Sequence, residues 1–398
     1  METYIVDWLN LGVRWLHLIA GIAWIGASLY FVWLDNHLLP PRNPADPARG
    51  VYGEVWSVHG GGFYRAQKYL LGPKEEPLSD HLHWFKWEAY VTWLSGMALL
   101  AIIYWWGANA YLIDRSVLDL SVPAAIAISA VSLVAGWLIY DALCRAVKNE
   151  LALGVILYLL IVAAAWGYGK VFGARAAFIH VGSLIGTIMV WNVFFHIIPG
   201  QKRMVEAIRA GDTPELRYGM IGKQRSVHNT YFTLPVLFIM ISNHFPMTFG
   251  NRYAWLVLGV IMLAGALIRQ YFVLRHTGRN AVALPAVAAV LMLALAVALA
   301  PARDPGGAQA AQITFAEVGP IIAQRCAVCH AEKPQFAGFQ QPPAGVMLDT
   351  PERIHAAAPR IQQQAVATQA MPLGNLTQMT PDERSRLARW LAQGAPVD

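Results

Sequence analysis

Long apolar runs recur along the first 300 residues, and they constrain the fold more than any other feature of the sequence. Eight such runs occupy residues 8–34, 84–106, 122–143, 151–169, 174–198, 228–244, 253–274 and 281–300. A helix needs about 20 mostly apolar residues to cross a lipid bilayer. Charged residues make up only 14% of the chain, whereas soluble domains carry about a quarter. The sequence therefore predicts an all-α protein built mainly as a polytopic membrane helix bundle of about eight transmembrane helices.

Basic residues are distributed unevenly between the loops that join these runs. Loops on one side of the predicted bundle hold fifteen Lys and Arg residues, and loops on the other side hold five. Because basic loops stay in the cytoplasm, an even number of spans places both termini outside. We expect a multi-pass protein of the bacterial inner (cytoplasmic) membrane with its N-terminus and C-terminal region in the periplasm. The net charge of +6 is scattered over these loops, which predicts a lipid bilayer as partner and no nucleic acid.

Polar side chains inside the apolar runs indicate candidate functional positions. The third, fourth and eighth runs are nearly pure Ala, Val, Leu and Ile and are typical of scaffold, whereas the first, fifth and sixth carry polar residues and should face the bundle interior. The first run has a polar, small-residue stripe at helical spacing, formed by Asn10, Arg14, His17, Gly21, Trp24 and Ser28. Ordinary helix packing also uses such stripes, but an Arg one turn from a His inside a span is costly and favours function.

Histidines of different runs would lie at two depths of the bundle. The outer layer would contain His17, His180 and His244, and the inner layer His37, His196 and His228. We take the outer layer as the better candidate cluster, with Arg14, His17 and His180 as candidate catalytic residues.

A glycine triplet at residues 60–62 either lets the backbone approach a ligand or, more commonly, forms a flexible bend.

The composition changes after Ala300. Residues 301–312 are rich in Pro, Gly and Ala and predict a linker, and residues 313–398 predict a small soluble domain. This domain contains Cys326-Ala-Val-Cys329-His330, the attachment motif of c-type haem. Two thiols one helical turn apart reach the two vinyl groups of one haem, and His330 becomes the proximal iron ligand. A zinc or redox Cys-x-x-Cys pair is the alternative, but it lacks a second ligand pair and leaves His330 unexplained.

A low-spin haem needs a sixth ligand, commonly Met, and the predicted domain offers Met347, Met371 and Met379. Met371 lies in a loop constrained by Pro and Gly and is the predicted ligand. Met379 precedes a predicted capping box, Thr380 to Glu383, and a helix that buries Leu387, Trp390 and Leu391, so we expect it to pack. His/Met ligation raises the reduction potential, which suits a class-I-like cytochrome c domain that passes electrons out of the membrane domain.

Three strings of the membrane domain and the fused motif together resemble a known family. The strings are Arg14-Trp-Leu-His17-Leu-Ile-Ala-Gly-Ile-Ala-Trp-Ile-Gly, His59-Gly-Gly-Gly-Phe-Tyr-Arg65 and Trp191-Asn-Val-Phe-Phe-His196-Ile-Ile-Pro-Gly-Gln-Lys202. With the Cys326–His330 motif, the chain looks like the bacterial membrane-bound urate hydroxylase (urate oxidase) with a C-terminal cytochrome c domain. The resemblance implies oxidation of urate to 5-hydroxyisourate, with electrons leaving through haem c to an oxidase of the respiratory chain instead of forming peroxide. The added oxygen would come from water.

Two further hypotheses follow from that chemistry. Urate oxidation removes two electrons whereas one haem takes one, so either the haem turns over twice or a b-type haem on the outer histidines acts as a relay. Urate is a monoanion near neutral pH, and Arg14 with Arg65 or Arg269 would bind it through the planar guanidinium.

The alternative function is a non-catalytic electron-transfer subunit between quinol or a dehydrogenase and a terminal oxidase. A redox-sensing transporter is a third.

Overall fold

Helices make up most of this protein, whose computed structural model describes residues 2–300, 313–336 and 339–397. The predicted linker, residues 301–312, lies outside the described residues. Before residue 300 the helices are α1 (Glu2–Asn36), α2 (Trp87–Leu99), α3 (Ala108–Tyr111), α4 (Val122–Ala146), α5 (Glu150–Tyr168), α6 (Ala174–Asn192), α7 (Ile198–Arg209), α8 (Leu216–Ser242), α9 (Pro246–Phe249), α10 (Ala254–His276) and α11 (Ala283–Ala298). A π-helical segment, Leu100–Trp105, extends α2, and another, Val193–Ile197, joins α6 to α7.

Six helical segments in the described part of the chain are long and apolar enough to cross a membrane. They are Tyr4–Asn36, Trp87–Trp105, Val122–Ala146, Glu150–Tyr168, Ala174–Arg209 and Ala254–His276. Each coincides with one of the predicted runs, and together they are consistent with a membrane protein.

The two remaining predicted spans are also helical, but they differ from a typical span. Helix α8 has 27 residues and begins twelve residues before the predicted run, so Lys223 and Arg225 belong to a helix and not to a loop. Helix α11 is apolar but has only 16 residues, about 24 Å of rise. The count of eight spans therefore stays a prediction.

The hydrophobic core of the bundle is built around α6, which packs against α4, α5 and α8. In the apolar stretch that contains α6, 61% of the residues are buried, against 11% in α1. The prediction that the fifth run faces the interior is confirmed. The first run meets the bundle along part of its polar stripe, where Gly21 is buried and Trp24 packs against the core. Helix α1 packs chiefly on α2, so most of its surface lies outside the bundle core.

A two-stranded antiparallel hairpin, β1 (Val51–His59) and β2 (Gly62–Tyr69), interrupts the helical architecture. Gly60 and Gly61 form its two-residue turn, with φ of +57° and +78°. Positive φ at both central positions defines the turn that matches strand twist, and glycine adopts it without steric cost. The all-α prediction is wrong here, and the glycine triplet belongs to an ordered turn instead of a flexible bend.

The C-terminal region, residues 313–397, has a hydrophobic cluster of its own. Helices α12 (Phe315–Ile322), α13 (Pro351–Ala356), α14 (Ala358–Ile361) and α15 (Pro381–Ala392) surround it. The predicted capping box of α15 is confirmed, since Thr380 Oγ1 accepts from the Glu383 backbone N–H at 3.2 Å while Glu383 accepts from the Thr380 backbone N–H at 2.7 Å. Leu387 and Trp390 are fully buried on one face of α15, as predicted. This core positions the Cys-x-x-Cys-His segment that follows α12.

Candidate functional site

The Cys-x-x-Cys-His segment forms one tight turn after α12. The backbone N–H groups of Cys329 and His330 both donate to the Cys326 carbonyl, at 3.1 and 2.9 Å. The His330 Nδ1–H donates to the Val346 carbonyl at 3.0 Å, so Nε2 is the ring nitrogen that would bind the iron. Metal-binding histidines are usually held in this way by a backbone carbonyl. The residues therefore fit the iron ligation that the motif predicts.

The surroundings of the two thiols are unlike those of a redox pair. Burial raises the pKa of the Cys326 thiol to about 12, and it also raises the pKa of Cys329. Redox Cys-x-x-Cys pairs instead have a lowered thiol pKa. Among the described residues, no group of three or more His, Cys, Asp and Glu side chains is placed to hold a metal ion, so a zinc site lacks ligands as well.

The candidate sixth ligands differ in burial and contacts. Met371 is half-buried and packs against the same core cluster as Cys326, and its carbonyl accepts from Arg384 Nη1 at 2.9 Å. Met379 is 3% exposed within that core, which confirms its predicted packing role. Met347 is half-buried. Met371 as iron ligand stays a prediction.

The C-terminal region contacts the helix bundle through the loop that contains Met371. A Cβ on Gly374, which has φ of +53°, would lie 3.1 Å from the carbonyl oxygens of both Ala110 and Ile113. A Cβ on Gly250 would overlap the carbonyl oxygen of Thr368. Two glycines, one on each side, thus permit close backbone approach. Burial raises the pKa of the Tyr111 phenol on the bundle side of this contact.

A cavity of about 580 Å³ lies between these two parts of the chain. Small-molecule sites usually have volumes of about 300–1,000 Å³. The bundle contributes wall residues from 110–116, 173–175 and Phe249, and the C-terminal region contributes wall residues from 366–375 and 379–388. Ala370 and Pro372, on either side of Met371, both line it. The cavity therefore adjoins the loop that carries the predicted iron ligand.

The charged side chains of the cavity wall are Arg175, Arg384 and Asp114, with a formal net charge of +1. Arg175 lies 5.8 Å from the Phe249 ring centroid, and its buried Nε has no hydrogen-bond partner among the described residues. Asp114 accepts from the Ser116 backbone N–H at 2.9 Å and from its hydroxyl at 2.5 Å. Desolvation by burial lowers the pKa of Arg384. The wall is suited to a small anion.

A second polar group, the Asp141 cluster, lies inside the bundle between α4, α8 and the segment that joins α6 to α7. It consists of Tyr140, Asp141, Asn192, His196, Arg225 and His228. Asp141 accepts from Arg225 at 2.6 Å, from His196 Nε2 at 2.7 Å and from Arg145 at 2.5 Å. Tyr140 accepts from Asn192 at 2.8 Å and donates to His228 Nδ1 at 2.8 Å.

Sequence reasoning placed His196 and His228 of this cluster in one inner layer, but it missed Asp141 and Arg225 for two reasons. It placed Arg225 in a loop, although the residue is 2% exposed within α8, and it interpreted the third run as scaffold. The signal was present, because an acidic residue within a span is costly and usually has a partner or a function. Asp141 is such a residue, four positions before Arg145.

Arg14, His17 and His180 each have hydrogen-bond partners of their own, and their role in catalysis stays a prediction. Arg14 is exposed and donates to Asn10 at 3.1 Å. His17 Nδ1 lies 2.9 Å from the Thr92 carbonyl on α2. His180 is fully buried, with Nδ1 2.7 Å from the Ala176 carbonyl and Nε2 2.7 Å from the Ser129 hydroxyl. Because both ring nitrogens of His180 have partners, ligation of a haem iron would require it to give up one of those hydrogen bonds.

The other residues proposed for binding urate also have separate surroundings. Arg65 donates to Asp46 at 2.6 Å and to Glu54 at 2.7 Å within the hairpin. Arg269 is 8% exposed inside the bundle. His244, the third histidine of the outer layer, is exposed. Each of these side chains thus lies outside the cavity wall.

The fold and the site together define a class: a mainly helical protein with helices of membrane-spanning length and a C-terminal region that carries a Cys-x-x-Cys-His motif. Residues 3–300 match the family described as Urate oxidase N-terminal, and the chain belongs to that family. The family indicates a urate-acting oxidoreductase. No curated protein and no solved structure matches the chain at a significant level.

Proposed function

We propose that this protein is a membrane-bound urate hydroxylase that oxidises urate to 5-hydroxyisourate and passes the electrons through haem c to the respiratory chain. Family membership over residues 3–300 supports urate as the substrate. The Cys326–His330 motif supports haem c as the electron acceptor. Within it, the His330 Nδ1–H donates to the Val346 carbonyl.

The reaction balances without molecular oxygen as a reactant. The urate monoanion and one water give neutral 5-hydroxyisourate, one proton and two electrons. Haem c, when bound to Cys326, Cys329 and His330, supplies one-electron redox chemistry, and two such transfers oxidise one urate. Met371, on the loop beside the cavity, is the sixth ligand in this proposal. A cytochrome oxidase chain is the final acceptor.

The proposed location is the bacterial inner membrane, with the N-terminus and the cytochrome c domain in the periplasm. The excess of Lys and Arg on one side of the bundle supports it. The cavity between the two parts of the chain includes Arg175 at the start of Ala174–Arg209. The basic residues Lys202, Arg203 and Arg209 lie at the other end of the same segment.

An anaerobic experiment tests the proposal on the complete protein. Membranes that hold the oxidised protein receive urate, and the absorbance of haem c is followed without oxygen. We expect reduction of two haems per urate consumed, and incorporation of ¹⁸O from labelled water into the product. Ascorbate is the control for a reducible haem. If ascorbate reduces the haem and urate does not, the enzyme proposal fails and a non-catalytic electron-transfer subunit replaces it.

A further inference from the structure

We infer that the cavity between the helix bundle and the C-terminal region is the urate-binding site, with Arg175 as the residue that holds the anion. This inference rests on the proposed function and names the place of its substrate. The cavity of about 580 Å³ has room for a planar bicyclic molecule and for the water that adds to it.

The charge of the wall fits a monoanion. Two arginines and one aspartate line the cavity, so one anionic ligand neutralises the wall. The buried Arg175 Nε, which has no partner in the described parts of the chain, is a donor that lacks an acceptor. A planar guanidinium donates in parallel to adjacent acceptor atoms in the plane of a ligand, and urate offers oxygen and nitrogen acceptors around its rim.

Aromatic surfaces on the bundle side suit a planar ligand. Tyr111 and the almost fully buried Phe249 are both lining residues of the cavity, and the Arg175 guanidinium lies 5.8 Å from the Phe249 ring centroid. A flat purine anion in contact with these groups satisfies the guanidinium and buries apolar ring surface at the same time.

The position of this cavity suits electron transfer to the proposed haem better than two other candidate sites, a second cavity and the Asp141 cluster. Its wall includes both neighbours of Met371, so a ligand there lies beside the proposed haem. A second cavity, about 480 Å³, is lined by Lys86 and Lys202. Lys202 lies 27 residues after Arg175 in one helical segment, about 40 Å along the axis. The Arg225 charge of the Asp141 cluster is already paired with a buried carboxylate.

Substitutions at Arg175 test the inference by binding, independently of turnover. The haem is first reduced with ascorbate under anaerobic conditions, and equilibrium dialysis then measures the Kd for radiolabelled urate. Because a charged hydrogen bond is lost, we expect Arg175→Gln to raise the Kd about tenfold or more. Arg175→Lys should recover part of the affinity. The control, Arg252→Gln, removes an exposed positive charge near Tyr253 that does not line the cavity, and it should leave the Kd unchanged.

A second variant keeps the test decisive if Arg175→Gln fails to fold. Ala388→Phe, on α15 at the opposite wall, narrows the cavity without altering Arg175 and should also weaken urate binding. If wild type oxidises urate but both folded variants bind it as wild type does, the cavity is not the site and the proposed function stands. If wild type neither binds urate nor is reduced by it, the proposed function itself fails.

Discussion

The Arg225 guanidinium donates a 2.6 Å hydrogen bond to the Asp141 carboxylate inside the helix bundle. Both side chains are buried, and the same carboxylate accepts from His196 and from the exposed Arg145. The pair joins α4 to α8, two helices that the sequence alone gives no reason to pair.

Removing Asp141 should destabilise the bundle far more than removing its exposed partner. Asp141→Ala leaves Arg225 buried and unpaired, which costs about 3–5 kcal/mol. Arg145→Gln, at a position whose side chain is 71% exposed, should cost about 1 kcal/mol or less. Thermal unfolding in detergent, followed by circular dichroism, measures both. Equal effects of the two substitutions would show that the buried pair does not hold α4 and α8 together.

The proposed ligation of haem c by Met371 predicts a change in reduction potential when this residue is replaced. Bis-His ligation gives a lower potential than His/Met ligation, so Met371→His should lower the midpoint measured by redox titration. The matched control is Met379→Leu, a volume-conserving change in the core. It should lower the free energy of unfolding by less than about 1.5 kcal/mol and leave the reduction potential of the haem unchanged. If Met379→Leu changed the reduction potential and Met371→His did not, Met379 would replace Met371 as the proposed iron ligand.

The close contact at Gly250 predicts that the C-terminal region must dock on the bundle for urate to reduce the proposed haem c. Gly250→Val would place side-chain atoms where the Thr368 carbonyl lies. We expect slower reduction of the haem by urate and unchanged reduction by ascorbate, as measured by anaerobic stopped-flow absorbance. Gly154→Ala, at a helical glycine with no neighbour within 4 Å of an added Cβ, is the control and should behave as wild type. Unaltered urate kinetics in Gly250→Val would refute the docking requirement.

An ion pair in the C-terminal region predicts a dependence of stability on pH. Burial alone would raise the pKa of Glu383, but hydrogen bonds from Arg325 and Thr380 outweigh it and lower the pKa. A carboxylate with a depressed pKa stabilises the fold above its unfolded pKa, and this contribution is lost as pH falls through the folded value. Glu383→Gln should therefore lower the Tm at neutral pH, and its difference from wild type should shrink in acid.

The same pH series needs a neighbouring carboxylate as its control. Asp382 is the adjacent acidic residue, and its side chain is 65% exposed beside Arg386. Asp382→Asn should change the Tm little at any pH, because exposed ion pairs contribute about 1 kcal/mol or less. A Glu383→Gln difference that stays constant down to acid pH would exclude the ion pair as its cause.

The hairpin predicts a structural role for Arg65 and no role in urate binding. Its guanidinium donates to two buried carboxylates, Asp46 and Glu54. Arg65→Gln should lower the Tm because Glu54 loses its charged partner and, among the described residues, Asp46 keeps only Arg49 as a charged partner, at 3.4 Å. It should leave the KM for urate within about twofold of wild type, as measured by anaerobic haem reduction. An increase of KM without loss of stability would restore Arg65 as a binding residue.

Local sequence patterns predicted part of this structure well. Apolar runs marked the helices of membrane-spanning length, and Thr380 with Glu383 marked the start of α15. Hydrogen bonds between residues three or four positions apart define such features, so neighbouring residues are enough to predict them. The hairpin at Gly60 and Gly61 has an equally local signal, two β-forming segments separated by two glycines, but the expectation of an all-helical chain overrode it.

The sequence by itself determined the apolar helices and the Cys326–His330 motif, because each depends on residues that are adjacent or one turn apart. Only the tertiary structure decided which polar groups meet. Asp141 and Arg225 are 84 residues apart in the chain, and Arg175 reaches its cavity only because the Met371 loop packs against the end of the bundle. Such contacts depend on how whole helices pack, and packing is set by side-chain shape on every face at once. No short window of sequence contains that information.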